Sequence, residues 1–230
     1  MGTRTPDPIG STASPEIPDD IVALLVRADD VPEELLEVSI HDAQLAGLRA
    51  ARFRLSESKL AKVDLTESRL SRLHATDVEF DGCNFSNAHM PDASFRRVAF
   101  SRCKFSGVEM PKATFVDVEF NDCRLDFASF DDVKFKHVTF AGCHIREADF
   151  VAIAFDHVAF LDCDLARATF GRTEIRRSEM RRCVLNGLRG LAALRGIAME
   201  WNDILAHAEV FAAELGIDIT GDEKEFRTGS

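Results

Sequence analysis

The stretch CNFSNAHMPDASFRRVAFSRCKFSGVEM, residues 83–110, repeats a five-residue unit with a large apolar residue at its centre. Extending this register from Leu45 to Leu185 gives 29 central sites, and 27 of them are Leu, Phe, Met or Ile. These four types make up only 54 of the 230 residues, so an unordered sequence would place about seven there. The site two residues before each centre is also apolar or small, as at Cys83 and Ala88. A five-residue period therefore organises most of the chain.

A second period of 20 residues lies on top of the first. Phe80, Phe100 and Phe120 recur in one column of central sites. The six cysteines of the chain form a neighbouring column: Cys83, Cys103, Cys123, Cys143, Cys163 and Cys183. Neither a helical period of 3.6 nor strict alternation puts apolar residues at positions one and three of every five. A chain that turns a corner every five residues does, which predicts an all-β solenoid with four sides.

The A/C/V-x-F/L-x-x pattern of residues 83–110 resembles the pentapeptide-repeat family. This resemblance implies a right-handed quadrilateral parallel β-helix, in which the central residues and those two positions earlier point inward. Phe53, Ser58 and Ser68 fit the inward sites less well, because the first is large and the others are polar.

Both ends of a solenoid expose an apolar core and unpaired backbone, so caps are expected. Residues 1–18, rich in Pro, Gly, Ser and Thr, are predicted to form a disordered tail. Residues 19–39 are predicted to form an N-terminal capping helix, because acidic residues at its start suit a helix N-terminus. The repeat would then occupy residues 40–190, followed by a C-terminal helix over 191–219 and a tail over 220–230.

After the repeat, apolar residues follow a helical period up to Gly216, which is typical of an amphipathic helix. One interpretation is that this helix only plugs the last coil. The segment also resembles the C-terminal helix of bacterial quinolone-resistance pentapeptide proteins, and this resemblance implies a homodimer joined end to end. The interface would comprise Trp201, Ile204, Leu205, Ala208, Phe211 and Leu215.

The formal net charge is −11, and the middle of the repeat is acidic. Residues 113–166 carry 11 acids and four bases, whereas residues 41–112 carry nine acids and 12 bases. The same resemblance implies a DNA mimic that binds DNA gyrase and protects it from quinolone-type inhibitors, since a row of carboxylates can imitate phosphates. The partner-binding acidic face would comprise Glu119, Asp122, Asp126, Asp131, Asp132, Glu147, Asp149, Asp156, Asp162 and Asp164.

One feature of the charge pattern departs from a uniformly acidic mimic. Seven arginines lie between residues 167 and 189, beside the expected dimer junction. The alternative function is a general protein-interaction scaffold, whose partner the residues do not identify. Direct nucleic-acid binding is not expected, because no aromatic residues alternate with outward bases such as Arg96 and Arg97.

Enzyme chemistry is not indicated, since the sequence has no P-loop, dinucleotide fingerprint, zinc-protease motif or nucleophile elbow. A rod filled by its own side chains also leaves no concave pocket, so no cofactor is expected. The cysteines are predicted to be buried free thiols, because stacked parallel Cβ atoms lie too far apart for a disulfide and a straight ladder cannot surround zinc. His137 and His157, one coil apart, are interpreted as a solvated column rather than metal ligands.

The N-terminal residues do not resemble a secretory signal, and no run of eighteen apolar residues occurs. We therefore expect a cytoplasmic protein that does not enter a membrane. Free thiols agree with a reducing compartment.

Overall fold

A computed structural model describes residues 12–26 and 31–219. Parallel strands stack along one axis into a solenoid of about nine turns. The strands are β1 (Val22–Ala23), β2 (Glu34–Leu36), β3 (Val38–His41), β4 (Arg49–Ala50), β5 (Arg54–Ala61), β6 (Arg69–Leu70), β7 (His74–Asp81), β8 (Ser94–Ser101), β9 (Thr114–Asn121), β10 (Ser129–Asp131), β11 (Lys134–Ala141), β12 (Asp149–Val151), β13 (Ala154–Leu161), β14 (Thr169–Gly171), β15 (Glu174–Arg176), β16 (Glu179–Arg181) and β17 (Ala198–Met199). A 3-10 turn (Leu191–Leu194) and two helices, α1 (Trp201–Ala206) and α2 (Ala208–Glu214), lie at the C-terminal end.

The rod has four faces, which we number by their central residues. Face one carries the column that contains Phe115, and face two the column that contains Phe120; the long strands β5, β7, β8, β9, β11 and β13 run across both. Face three carries the column of Leu125, joined by single bridges such as Arg124↔His144. Face four carries the column of Phe130, where β4 pairs with β6 and β10, β12 and β14 pair in order. Partners from β5 to β13 are offset by 20 residues, so the predicted four-sided parallel β-helix is confirmed.

The interior consists of columns of identical or similar side chains. Phe120 is completely buried, and its ring stacks on Phe100 and on Phe140 with centroid distances of 4.9 and 4.7 Å. Rings on adjacent faces meet edge to face, as Phe100 does with Phe105 at 5.1 Å and 85°. Such pairs stabilise the core beyond the free energy of burying their area. The inward direction of the central residues and of those two positions earlier is therefore confirmed.

The residue two positions after each centre lies at a corner and has a left-handed backbone. Between Glu37 and Gly187 there are 31 such sites, and 30 of them have positive φ: 25 non-glycine residues and five glycines, with Arg52 the exception. A left-handed residue with a Cβ costs about 1–2 kcal/mol. Hydrogen bonds between turns offset that cost, as when Asp122 N donates to Ala141 O at 2.9 Å. Outward corner side chains are thus a fixed property of the coil.

The predicted N-terminal helix is wrong for the described part of residues 19–39, which holds strands and no helix. β1 pairs with β3 and covers the first turn as an added edge strand. The five-residue register also starts one unit earlier than expected, because Leu35 is buried and pairs with Leu55. The spacing of the apolar residues in this segment is compatible with a turn of the solenoid as well as with a helix. Residues 27–30, and the predicted tail over 220–230, lie outside the described residues.

Residues 12–18, predicted as part of a disordered tail, lie against the rod instead, while residues 1–11 are outside the described residues. Thr12 is buried and its hydroxyl donates to Glu119. Glu16 N donates to Asp77 Oδ1 at 3.1 Å. The segment therefore follows the corner between faces one and two over several turns, and we call it the N-terminal strap (residues 12–18).

The C-terminal segment is also different from the single helix expected over 191–219. Its two helices are separated at His207, which has a non-helical backbone (φ −116°). The His207 ring bonds to the carbonyl oxygen of Cys183 through Nε2 at 2.7 Å, which holds the break against the last coil. Within residues 12–26 and 31–219, no helix is long and apolar enough to cross a membrane.

Two inward serines give a matched test of buried hydrogen bonds. Ser58 Oγ accepts from Val38 N at 3.2 Å and donates to Ser56 O at 2.6 Å, so Ser58→Ala should lower the free energy of unfolding by about 1–2 kcal/mol. Ser68 Oγ is buried with no partner in the described residues. Ser68→Ala should therefore leave the free energy of unfolding unchanged or raise it by up to about 1 kcal/mol. Urea unfolding of both variants checks this, and equal losses would contradict it.

Candidate interaction surface

The ten carboxylates predicted as one acidic face are distributed around the whole rod. Because the chain turns a corner every five residues, acids that are close in sequence point in different directions. Asp156 lies on face one, Glu119 on face two, Asp126 and Asp164 on face three, Asp131 and Asp149 on face four, and Asp122, Asp132, Glu147 and Asp162 at corners. The prediction that they form a single row is wrong.

Six of these ten side chains are already engaged by another side chain. The contacts are Glu119 with Thr12, Asp126 with Arg124, Glu147 with Arg167, Asp156 with His157, Asp162 with Arg182 and Asp164 with Arg146. The same pairs occupy Arg167 and Arg182, two of the seven arginines near the C-terminal end. Pairing reduces both the negative field of the middle turns and the positive field beside them.

Three of the remaining acids lie on face four or at its corner with face one. Asp131 and Asp132 end one pentapeptide, and Asp149 starts β12 on the next turn, where it pairs with Ser129. All three are exposed, and no ion pair in the described part of the chain engages them. We call Asp131, Asp132 and Asp149 the face-four acidic patch. Asp122 is likewise exposed and without an ion pair among the described residues, but it lies at the corner between faces two and three.

The patch has basic surroundings farther along the same face. Toward the N-terminal end, face four and its corners carry the exposed residues Arg49, Arg52, Arg69 and Arg72, and Arg189 lies toward the C-terminal end. Glu109 and Asp92 are also exposed on this face and its corner, so a partner that fits it meets alternating positive and negative groups along the rod. Electrostatic complementarity of this kind favours specificity and association rate more than affinity.

Glu119, one of the predicted partner-binding acids, is covered by the N-terminal strap. The strap also reaches Asp77, which is 8% exposed and bonded by Arg97 through Nε and Nη2, both at 2.6 Å. Burial raises the pKa of the Asp77 carboxyl, but Arg97 and the Glu16 amide lower it more, so the net direction is below its ordinary value. The charged form of Asp77 is therefore the stabilising one.

Replacing Arg97 by methionine should lower the free energy of unfolding by about 2 kcal/mol at pH 7, because a buried carboxylate loses a bidentate partner. Since the folded pKa of Asp77 is depressed, this contribution is complete above the unfolded pKa of about 4 and disappears as pH falls through the lower folded value. The difference between wild type and variant, measured by urea unfolding, should shrink below about pH 4.

A control for this prediction is Arg102→Met, whose partner Asp81 is half exposed. Its cost should stay below about 1 kcal/mol. Equal losses of stability for Arg97→Met and Arg102→Met would show that the buried pair contributes no more than the exposed pair. A difference between wild type and Arg97→Met that persists at pH 2 would show that the charge of Asp77 is not its cause.

The corner above Asp77 and Arg97 continues with Asp117, His137 and His157. His137 Nδ1 lies 3.1 Å from Asp117, and His157 Nδ1 lies 2.9 Å from Asp156. The two imidazole rings are 4.9 Å apart. Each histidine thus has a carboxylate partner of its own, and no group of three His, Cys, Asp or Glu residues within the described ranges is arranged to hold a metal ion.

The cysteine column is buried, and its six thiols are free. Each thiol lies within hydrogen-bonding distance of a carbonyl oxygen on the previous turn, as Cys163 Sγ does with Phe140 O at 3.3 Å. Contact with the Cys143 thiol, together with burial, raises the pKa of Cys163 to about 12. All six thiols are buried, so this column packs the core.

The predicted dimer residues divide into two groups. Trp201, Leu205 and Leu215 are exposed by 72%, 57% and 73%, and Ala208 is also exposed. Ile204 and Phe211 are half buried, and they line a groove against the last coil. The other residues of this groove include Leu185, Leu191, Leu194 and Ile197. Phe211 and Ile204 therefore hold the cap on the rod, whereas the other four side chains stay exposed.

A rod with stacked five-residue units and a filled interior defines a class of protein: a four-sided parallel β-solenoid. The sequence matches the family described as "Pentapeptide repeat region" over residues 73–150 and again over 113–190, which together cover just over half of the chain. The chain belongs to the pentapeptide-repeat family. No curated protein matches the sequence.

Solved structures of the same fold resemble this rod at low sequence identity. A trypsin-treated variant of QnrB1, a plasmid-mediated fluoroquinolone resistance protein, is 17% identical with a TM-score of 0.49, over 87% of this chain and 98% of that one. HetL from the cyanobacterium Nostoc sp. strain PCC 7120, involved in heterocyst differentiation regulation, is 14% identical with a TM-score of 0.35, over 72% and 89%. At these values the likeness concerns the fold alone.

Proposed function

We propose that this chain is a non-enzymatic interaction rod that binds a protein partner through face four. The observation that carries the proposal is the face-four acidic patch, whose three exposed carboxylates have no ion pair among the described residues, whereas most of the other acids named above do. A carboxylate without an internal ion pair does not have to break one when it meets a basic surface, so these three are available to a partner. Members of this family are generally structural or interaction proteins.

DNA gyrase is the partner to test first. The sequence resemblance to the quinolone-resistance branch points to it, and its DNA-binding surface is the kind of basic groove that a DNA mimic would occupy. Carboxylates on a rigid rod would replace phosphates there, so binding should weaken as salt increases. The general scaffold remains the alternative, with a different basic protein in the same place.

The test measures binding of the fluorescently labelled full chain to purified DNA gyrase at 50, 100 and 200 mM salt. It also measures supercoiling with and without a fluoroquinolone. A variant with Asp131→Asn, Asp132→Asn and Asp149→Asn should bind about tenfold more weakly and show a smaller salt dependence. Its control removes the same charge away from face four, through Glu37→Gln, Asp42→Asn and Asp122→Asn, which are exposed and without an ion pair in the described chain.

Wild-type protein that neither binds gyrase nor changes supercoiling at tens of micromolar would exclude gyrase as the partner. Equal weakening by the two triple variants would mean that total charge, rather than face four, drives binding.

We also propose that the protein is cytoplasmic and forms a homodimer. The interface would consist of the exposed residues of α1 and the residues after α2. Trp201 and Leu205 in α1, with Leu215 after α2, form an exposed apolar group at the end of the rod. Light scattering should give twice the 25.5 kDa chain mass for wild type and the chain mass for Trp201→Asp. Phe211→Asp is the matched control, because Phe211 lines the groove against the rod. Its replacement loosens the cap without removing an exposed apolar residue. An unchanged mass for Trp201→Asp would refute the interface.

A further inference from the structure

Phe127 is an aromatic side chain on the outside of the rod. It lies at the corner between faces three and four, with φ 60° and 60% of its surface exposed. The left-handed corner sites otherwise carry polar residues or glycine, and Ala152 is the single further exception in the described repeat. Phe127 therefore breaks the pattern of its site in two ways, by its apolar character and by its bulk.

The fold does not account for this ring. A bulky residue with positive φ is strained, and glycine or asparagine would meet the backbone requirement more easily. No other aromatic ring of the described residues lies against Phe127, although the inward Phe residues of the same turns are stacked. A side chain that is both strained and exposed weakens the folded state, so its place is explained by something outside the rod.

Phe127 borders face four, and its neighbours leave one side of the ring open. Along its corner the neighbour toward the N-terminal end is Gly107, which has no side chain, and the other neighbour is Glu147, paired with Arg167 at 2.5 Å. Beside it, Asp126 is half buried and accepts from Arg146 N at 3.1 Å. The ring is thus free on one side and borders the turns that carry the acidic patch.

Face four has a second apolar element in the same two turns. Val151 is half buried and pairs with Asp131, and Ala152 follows it at the opposite corner. Val151 therefore lies one turn beyond Asp131, and Ala152 lies one turn beyond Asp132, whereas Phe127 lies at the other edge of the same face. Interfaces commonly place a few aromatic anchors inside a rim of polar groups.

We propose that Phe127 is the anchor of the face-four interface and inserts into an apolar pocket whose rim carries Lys or Arg. This inference rests on the proposed function, because it names the chemistry of the partner at the same face. The carboxylates steer the basic rim onto the face, and the ring then slows dissociation. The strained backbone presents the ring outward in the free protein, so little ordering is required on binding.

The test replaces Phe127 by asparagine, which accepts positive φ. With purified DNA gyrase as the probe, Phe127→Asn should raise Kd at least about tenfold through faster dissociation, with an unchanged salt dependence. Phe127→Leu should retain most of the affinity. Val184→Asn removes another exposed apolar side chain, at an outward site of face three near the C-terminal end, and should change nothing.

A thermal scan supplies a readout that needs no partner. Phe127→Asn should melt at the wild-type temperature or a few degrees above it. A loss of several degrees would show that the ring supports the fold, and the anchor would be overturned. Wild-type binding with equal affinity for Phe127→Asn would overturn the anchor and leave the proposed function standing. Failure of wild type to bind gyrase would reject the proposed partner, and with it the anchor for that partner.

Discussion

Phe120→Ala is expected to lower the free energy of unfolding by about 4 kcal/mol, the largest effect of any single side-chain truncation proposed for this rod. Phe120 is completely buried at the centre of face two, between Phe100 and Phe140. Truncation removes the transfer free energy of the ring, two stacked contacts and the edge contact with Phe105 at 5.8 Å. It also leaves a cavity that the regular coil cannot close, because the turns above and below are held by parallel strand pairing.

The control for this prediction is the same substitution at an outward site. Phe127→Ala removes an identical side chain that is 60% exposed, so the change should stay within about 0.5 kcal/mol. Urea unfolding followed by circular dichroism measures both variants. Similar losses for Phe120→Ala and Phe127→Ala would contradict the assignment of inner and outer sites.

Gly190→Ala is expected to release the C-terminal cap, although it adds only one methyl group. Gly190 has φ 75°, and a Cβ there would lie 1.9 Å from the carbonyl oxygen of Phe170. The contact is with backbone, so neither partner can rotate away. The 3-10 turn must therefore separate from face four, at a cost of about 3 kcal/mol or more. Hydrogen exchange should show lost protection over residues 191–216, while the coils around Phe120 stay protected.

The matched control is Gly47→Ala. Gly47 has a similar φ of 73°, but a Cβ there would meet nothing within 4 Å. Its cost should be limited to the left-handed backbone, about 1 kcal/mol. If Gly190→Ala were no worse than Gly47→Ala in thermal unfolding, the close approach to Phe170 would not be what fixes the cap.

Part of the surface could also have been predicted from spacing. Once the period of 20 is known, opposite charges 20 residues apart must lie side by side on neighbouring turns. Asp77 with Arg97 and Asp162 with Arg182 follow this rule, as do Lys59 with Glu79, His89 with Glu109, Asp117 with His137 and Glu147 with Arg167. The prediction of one acidic row failed because it used sequence windows instead of this spacing.

Other features had no local signal. The apolar residues around Val22 and Leu35 suit a helix or a coil, and only pairing with β3 and β5 decides between them. Contact between Thr12 and Glu119 joins residues 107 positions apart, which no periodicity connects. The break at His207 depends on a carbonyl of the last coil.

The sequence by itself determined the direction of each side chain in the repeat, because a period of five leaves a single way to bury Phe, Leu and Cys together. Position in the five-residue unit therefore sufficed for the core, the corners and the four faces. Tertiary structure alone decided which charges stay unpaired and where the caps lie, because these depend on contacts between distant turns and with the terminal segments. Burial is repeated at every unit and can be read locally, whereas pairing is a property of the assembled rod.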